Sequence, residues 1–198
     1  MGVVLFVQGG GLSPREELGA LVVGQDWQQY ELALPHLSSD WLARPFADQL
    51  AEVKTWLEDA EGCVGTGWGA WLILCALLER AQEGLSLPVA LCCSSFFREG
   101  CFTGQAGVPY RLPRAEEVAE AMGVSGGGGL LAGAEIRFVH GTQDSLAPLG
   151  EIRVLDGLFS LQIVESGHFL RGHGHRVVAQ ELERLRARLG HRRRGSGS

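Results

Sequence analysis

A chain of 198 residues and 21.3 kDa is long enough to bury a sizeable core and falls in the range of one domain rather than two. Its 45% apolar and 20% charged residues are ordinary for a globular protein, and its longest apolar run, Trp68 to Leu78, is too short to cross a bilayer. A formal net charge of -6 argues against nucleic acid as a partner, and five cysteines, an odd number without C-x-x-C spacing, point to reduced core thiols rather than a disulfide framework.

Met1 leads straight into Val3 to Val7, a continuous apolar run of the kind found in a strand buried on both faces, as in a parallel sheet. The start lacks the basic lead and small-residue cleavage site of a secretory signal, which favours the cytoplasm. Gln8-Gly9-Gly10-Gly11 ends the strand. Ser13 as N-cap, Pro14 at the first helical position and Glu16 then open a helix expected to run into the low twenties. Tyr30 to Leu34 is a second short strand, stopped by Pro35. Pro45 opens a helix whose Phe46, Leu50, Val53 and Leu57 form one apolar stripe.

Cys63 to Gly65 is the third strand. Behind it come the turn Gly65-Thr66-Gly67-Trp68-Gly69 and a helix from Gly69 to about Glu83, apolar nearly all round as in the middle of a molecule. The turn matches G-x-S-x-G, in which a sharp strand-to-helix bend lifts a serine out of the backbone, except that Gly67 stands where the serine belongs. Pro88 to Cys93 is the fourth strand. From Ser94 to Ala134 the pattern breaks up around a short helical piece, Arg114 to Met122, and the run Gly126 to Gly129; so long an irregular insertion (about 94–134) reads as a lid or as disorder. Glu135 to Val139 and Leu161 to Val164 are strands five and six, and the last helix runs from about His175 to Leu189 with Val178, Leu182, Leu185 and Leu189 on one stripe. Residues 191–198 are set apart as a flexible tail, ending in Gly195-Ser196-Gly197-Ser198, although Arg192-Arg193-Arg194 read better as a solvated helix end favourable to the C-terminal dipole.

Strand alternating with helix six times predicts an α/β protein, a three-layer α/β/α sandwich around a mostly parallel six-stranded sheet, in a single domain over residues 1–190. In such a sheet ligands bind outside the carboxyl ends of the strands. The segments leaving those ends are Gln8 to Gly11, Thr66 to Trp68, Ser94-Ser95, Gly141 to Asp144, and Gly167-His168. They carry one acid, Asp144, and one loop histidine, His168.

On these motifs the chain resembles a small α/β-hydrolase-fold protein of the single-domain serine hydrolase kind. Val64 to Ala70 is similar to the nucleophile elbow, Phe138-Val139-His140-Gly141-Thr142-Gln143-Asp144 to the strand and turn that deliver the acid, Ser166-Gly167-His168-Phe169 to the histidine loop, and Gln8-Gly9-Gly10-Gly11 to the oxyanion loop, with glutamine where many members have histidine. The likeness spans Val3 to about Leu189, without the family's first two strands. The resemblance implies ester or thioester hydrolysis of a small apolar substrate, without metal or cofactor. Asp144 would orient His168, His168 would take and return the proton, and the N–H groups of Trp68 and of Gly9 or Gly10 would bind the oxyanion. Gln8, Ser94, Phe96 and Phe169 would border the substrate.

Gly67 has no hydroxyl, so a nucleophile at that position is missing. Three accounts stand side by side: a serine deliberately replaced, a fold retained as a non-catalytic binding module, or water activated directly by His168 and Asp144. Thr66, one residue before the tip, is expected to point elsewhere, and Cys92 and Cys93 read as packing. His173 and His175 are better explained by a loop entering a helix than by a metal site, since no cysteine or carboxylate joins them at ligand spacing. His36 and His140 read as structural. Trp68 and Trp71 divide between an apolar acyl pocket and core, Phe96 and Phe97 between lid and core. A monomer and a small homo-oligomer fit the sequence equally.

Overall fold

The computed structural model describes residues 1–9, 18–27, 30–35, 41, 44–95, 134–153 and 159–195. The predicted capping box at Ser13, the helical piece at Arg114 to Met122, Cys101, Gly10, Phe96 and Phe97 lie outside these residues, as does nearly all of the expected lid.

Six strands, β1 (Gly2–Val7), β2 (Tyr30–Ala33), β3 (Ala60–Thr66), β4 (Val89–Cys93), β5 (Ile136–Gly141) and β6 (Ser160–Val164), form one sheet in the order β2-β1-β3-β4-β5-β6. Every adjacent pair is parallel. The helices are α1 (Leu18–Val23), α2 (Phe46–Trp56), α3 (Trp68–Gln82), the short α4 (Leu149–Ile152) and α5 (His173–Gly195).

Alternation along the strands divides the core into two layers, as a period of two requires. Leu5, Val7, Cys63, Ala90, Cys92 and Phe138 face α2 and α3, where Phe46, Leu50, Val53 and Leu57 join Trp71 to Leu77. Their neighbours Val4, Phe6, Val64, Leu91, Cys93 and Val139 face α1 and α5, where Val22 joins Val178, Leu182, Leu185 and Leu189. Continuous apolar runs are what strands covered on both faces need.

Two elements are longer than the sequence predicts. β3 spans Ala60–Thr66 rather than three residues, because its glycines carry no strand propensity although they sit in close packing: a Cβ at Gly62 would press on the Leu189 side chain at 2.9 Å. α5 runs from His173 to Gly195, so residues 191–195, set apart from the domain as a tail, are helical, and Arg192 to Arg194 form the helix end also read from the sequence. Arg192 donates to the Leu87 carbonyl at 3.1 Å and pairs with Glu135 at 3.5 Å, and cations suit the negative end of a helix.

Strand order reverses around β1, whose neighbours are β2 and β3, so the crevice of the sheet opens between the ends of β1 and β3. The contact there is very tight. A Cβ at Gly65 would lie 2.5 Å from Ala70 Cα, and one at Gly69 would run into the Val7 carbonyl. Gly69→Ala is therefore expected to lower stability by at least about 3 kcal/mol. Gly190→Ala, inside α5 with nothing within 4 Å of the new methyl, is expected to raise it by about 0.5–1 kcal/mol. Urea unfolding of both variants checks the pair.

Candidate functional site

β3 passes into α3 through a single residue. Gly67 has φ 51° and ψ -117°, a backbone conformation in which any side chain is strained. Its N–H donates to the Cys93 carbonyl at 2.9 Å and its carbonyl accepts from Trp71 at 3.2 Å, which ties the bend to the end of β4 and to the first turn of α3. Trp68 opens that helix, so its N–H lies at the positive end of the helix dipole. Gly9 sits against the same bend, where a Cβ would be 2.7 Å from the Thr66 carbonyl. The Gly9 N–H, one of those expected at an oxyanion, donates to the Thr66 hydroxyl at 3.1 Å.

Two strands away, β5 ends in His140-Gly141. A side chain at Gly141 would collide with the Ser166 carbonyl, so glycine lets the loops after β5 and β6 lie against each other. Thr142 donates to Val164 at 2.8 Å and Gln143 to Ser166 at 2.9 Å. These bonds bring Asp144 and His168 together, with His168 Nδ1 and Asp144 Oδ2 at 2.8 Å. The other carboxylate oxygen accepts from the Leu146 N–H at 3.0 Å and the Ala147 N–H at 2.8 Å. The Asp144 carboxylate is wholly buried, while the His168 side chain is 13% exposed, so the pair presents its imidazole outward. A carboxylate can only accept, so in the neutral ring Nδ1 carries the proton and Nε2 is the basic nitrogen.

The His168 loop is locked from within. Leu170 takes φ 50°, unusual for a branched residue, and its fully buried side chain in the α5 layer offsets that strain. Ser166 Oγ donates to the Arg171 carbonyl at 3.1 Å and Leu170 N–H to Gly167 at 3.0 Å. Phe169 stands edge-on to the His168 ring, with centroids 5.5 Å apart, and Arg171 lies 5.8 Å over the Phe169 ring.

Burial works against the Asp144 charge, but hydrogen bonds from His168 and Ala147 and the two nearby imidazoles outweigh it and hold the carboxyl below its ordinary value. His140 is moved down, chiefly by burial and further by His168, against the opposing pull of the Ala147 carbonyl and Asp144. Both shifts act in one direction. A depressed His140 stabilises the fold in full above 6.5 and less as pH falls from there toward its folded value; the Asp144 share persists above 3.8 and goes as pH falls through its lower folded value. The urea midpoint is thus expected to be level from pH 8 to 7 and to drop below 6.5, with a smaller drop in His140→Gln.

Among the other expected site residues, Ser94 ends β4 between the bend and the Asp144 loop. It has φ 48°, donates its N–H to Val139 at 2.9 Å, and buries an Oγ that has no partner among the described residues. Gln8 is buried at the end of β1. Cys63, Cys75, Cys92 and Cys93 are free and buried. Burial, the larger cause, with Glu181 pushes the Cys93 thiol up to about 12, so it is not an activated nucleophile. Trp71 is fully buried in the core, and Trp68 reaches Gln49 with its indole N–H at 2.8 Å. No cluster of three metal-ligating side chains occurs among the described residues, and no described helix is long and apolar enough to cross a membrane.

No protein-family model and no curated protein matches this sequence. Solved structures do. A Xanthomonas campestris protein assigned to the hydrolases of the alpha/beta superfamily is 17% identical over 96% of this chain and 98% of its own, with a TM-score of 0.62. For LipS and LipT, lipolytic enzymes of metagenomic origin, the values are 16%, 93%, 93% and 0.60. For the thioesterase domain of the curacin biosynthetic pathway they are 14%, 91%, 90% and 0.55. The fold is that of the α/β hydrolases.

Within this α/β-hydrolase fold, the residues that sequence reasoning missed are those that hold the expected ones. Thr66 fixes Gly9, the Leu146 and Ala147 amides fix Asp144, and Leu170 fixes the His168 loop. Only Asp144 carried a local signal, since aspartate commonly accepts from amides two or three residues on. The remaining contacts join residues distant in the chain.

Proposed function

We propose that this protein carries the site of a carboxylic ester or thioester hydrolase in which Gly67 occupies the place of the nucleophilic serine, and that the present chain binds an acyl ligand without forming an acyl-enzyme. The observation that carries this reading is the 2.8 Å pairing of His168 Nδ1 with the buried Asp144 carboxylate, at strand ends of the sheet that also ends in the sharp bend at Gly67. The thioesterase and lipolytic activities of similar structures agree with an acyl substrate. So do Leu146 and Phe169, large apolar side chains left half exposed beside Asp144 and His168.

In this reading a hydroxyl at position 67 would give its proton to His168 Nε2 while its oxygen attacks the acyl carbonyl. Asp144 would stabilise the resulting imidazolium. The carbonyl oxygen, turned anion, would take hydrogen bonds from the Trp68 N–H and from an N–H of the Gln8 to Gly11 loop, Gly10 being the candidate there since the Gly9 N–H goes to Thr66. His168 would then return the proton to the leaving alcohol or thiol, and water would release the acid by the same steps. Without the hydroxyl the apparatus still holds a carbonyl and an apolar chain. The test is hydrolysis of short p-nitrophenyl esters by the present chain and by Gly67→Ser: turnover only with serine supports the proposal, and turnover in neither contradicts the hydrolase lineage.

A further inference from the structure

We propose that His140 is a positioning residue for the Asp144–His168 pair, holding the carboxylate in register through the backbone of Ala147. The proposal rests on the reading of that pair as the acid and base of the site. His140 is the next-to-last residue of β5 and is fully buried. The chain turns at Gly141 and comes back over the strand end, so that the Ala147 carbonyl lies 2.7 Å from His140 Nε2. A carbonyl only accepts, so Nε2 carries the proton. The other nitrogen, Nδ1, is then bare, and it is buried with no partner among the described residues. A second proton there would be buried without an acceptor, so the ring stays neutral and in one tautomer.

Ala147 is therefore gripped on both sides. Its carbonyl accepts from His140, and its N–H donates to Asp144 Oδ1 at 2.8 Å. Pro148 follows as the N-cap of α4, which begins at Leu149. With Oδ1 occupied by the Leu146 and Ala147 amides, Oδ2 is the oxygen turned to His168. His140 does not compete for it: its Nε2 lies 4.0 Å from Asp144 Oδ2, beyond hydrogen-bond reach, and its proton already goes to Ala147. Imidazole, peptide, carboxylate and imidazole thus form one chain in which loosening the first link loosens the last.

Nitrogen-15 NMR of the present chain at pH 7 tests this without reference to turnover. His140 is expected as the Nε2–H tautomer, and His168 as Nδ1–H with a downfield, slowly exchanging proton that Asp144→Asn abolishes. Glutamine places an amide donor near Nε2, asparagine near Nδ1. His140→Gln should therefore keep the His168 proton, whereas His140→Asn and His140→Phe should exchange it roughly tenfold faster. Circular dichroism identifies which variants are folded. Unchanged exchange in folded His140→Asn or His140→Phe overturns the proposal alone, as does the opposite His140 tautomer in the unmodified chain, a readout that needs no variant to fold. Absence of the His168 proton in the unmodified chain overturns it together with the acid–base pair.

Discussion

Gly67→Ser is expected to hydrolyse short p-nitrophenyl esters at least about 10³-fold faster than the present chain, with a burst of p-nitrophenol as the acyl-enzyme fills. The reason lies in the proposed roles: His168 is oriented by a buried carboxylate, α3 opens at Trp68, and Gly67 bends with a φ of 51°, the kind of turn a nucleophile elbow uses. The gain has a structural cost. Serine in that conformation is strained by about 1–3 kcal/mol, so the faster variant is expected to unfold at lower urea. Activity and stability should move in opposite directions at this one position. If the present chain already turns over ester at a rate that falls with His168→Ala, then water is the nucleophile and the serine is dispensable.

In the Gly67→Ser background, adding Asp144→Asn is expected to lower kcat by about 10⁴. Asparagine preserves the shape and can present its amide to His168, which turns the imidazole proton to Nε2 and removes the base from the nucleophile. His168→Ala in that background should cost a similar factor, and the two together should cost little more than either, because the residues act as a unit. Additive losses in the double variant would mean that the pair does not work as one device.

The strands of this fold were legible where both faces are apolar. Val3 to Val7 and Val89 to Cys93 could be read directly because a parallel sheet covered by helices demands continuous apolar runs. β3 was legible only in its middle, since Gly62 and Gly65 sit in close packing against Leu189 and Ala70 and carry no strand signal of their own. α5 outran its apolar stripe because its last turns are held by Arg188 and Arg192 on Glu135, side-chain partners that periodicity does not register.

The meeting of Asp144 and His168 was legible from chain order and from the rule that strand ends share one edge. What holds them was not. Ala147 and Leu146 act through backbone amides, which every sequence offers everywhere, and His140 acts through a carbonyl seven residues away. The fate of the Gly9 N–H depends on Thr66, fifty-seven residues on.

The most direct test of the central claim is covalent. A small fluorophosphonate, mixed with Gly67→Ser and followed by intact and peptide mass spectrometry, is expected to add once, on the peptide containing residues 65–69, and the addition should be lost in the further variant His168→Ala. The present chain should remain unlabelled. Labelling of the present chain at Ser94, or no labelling of folded Gly67→Ser, would contradict the account.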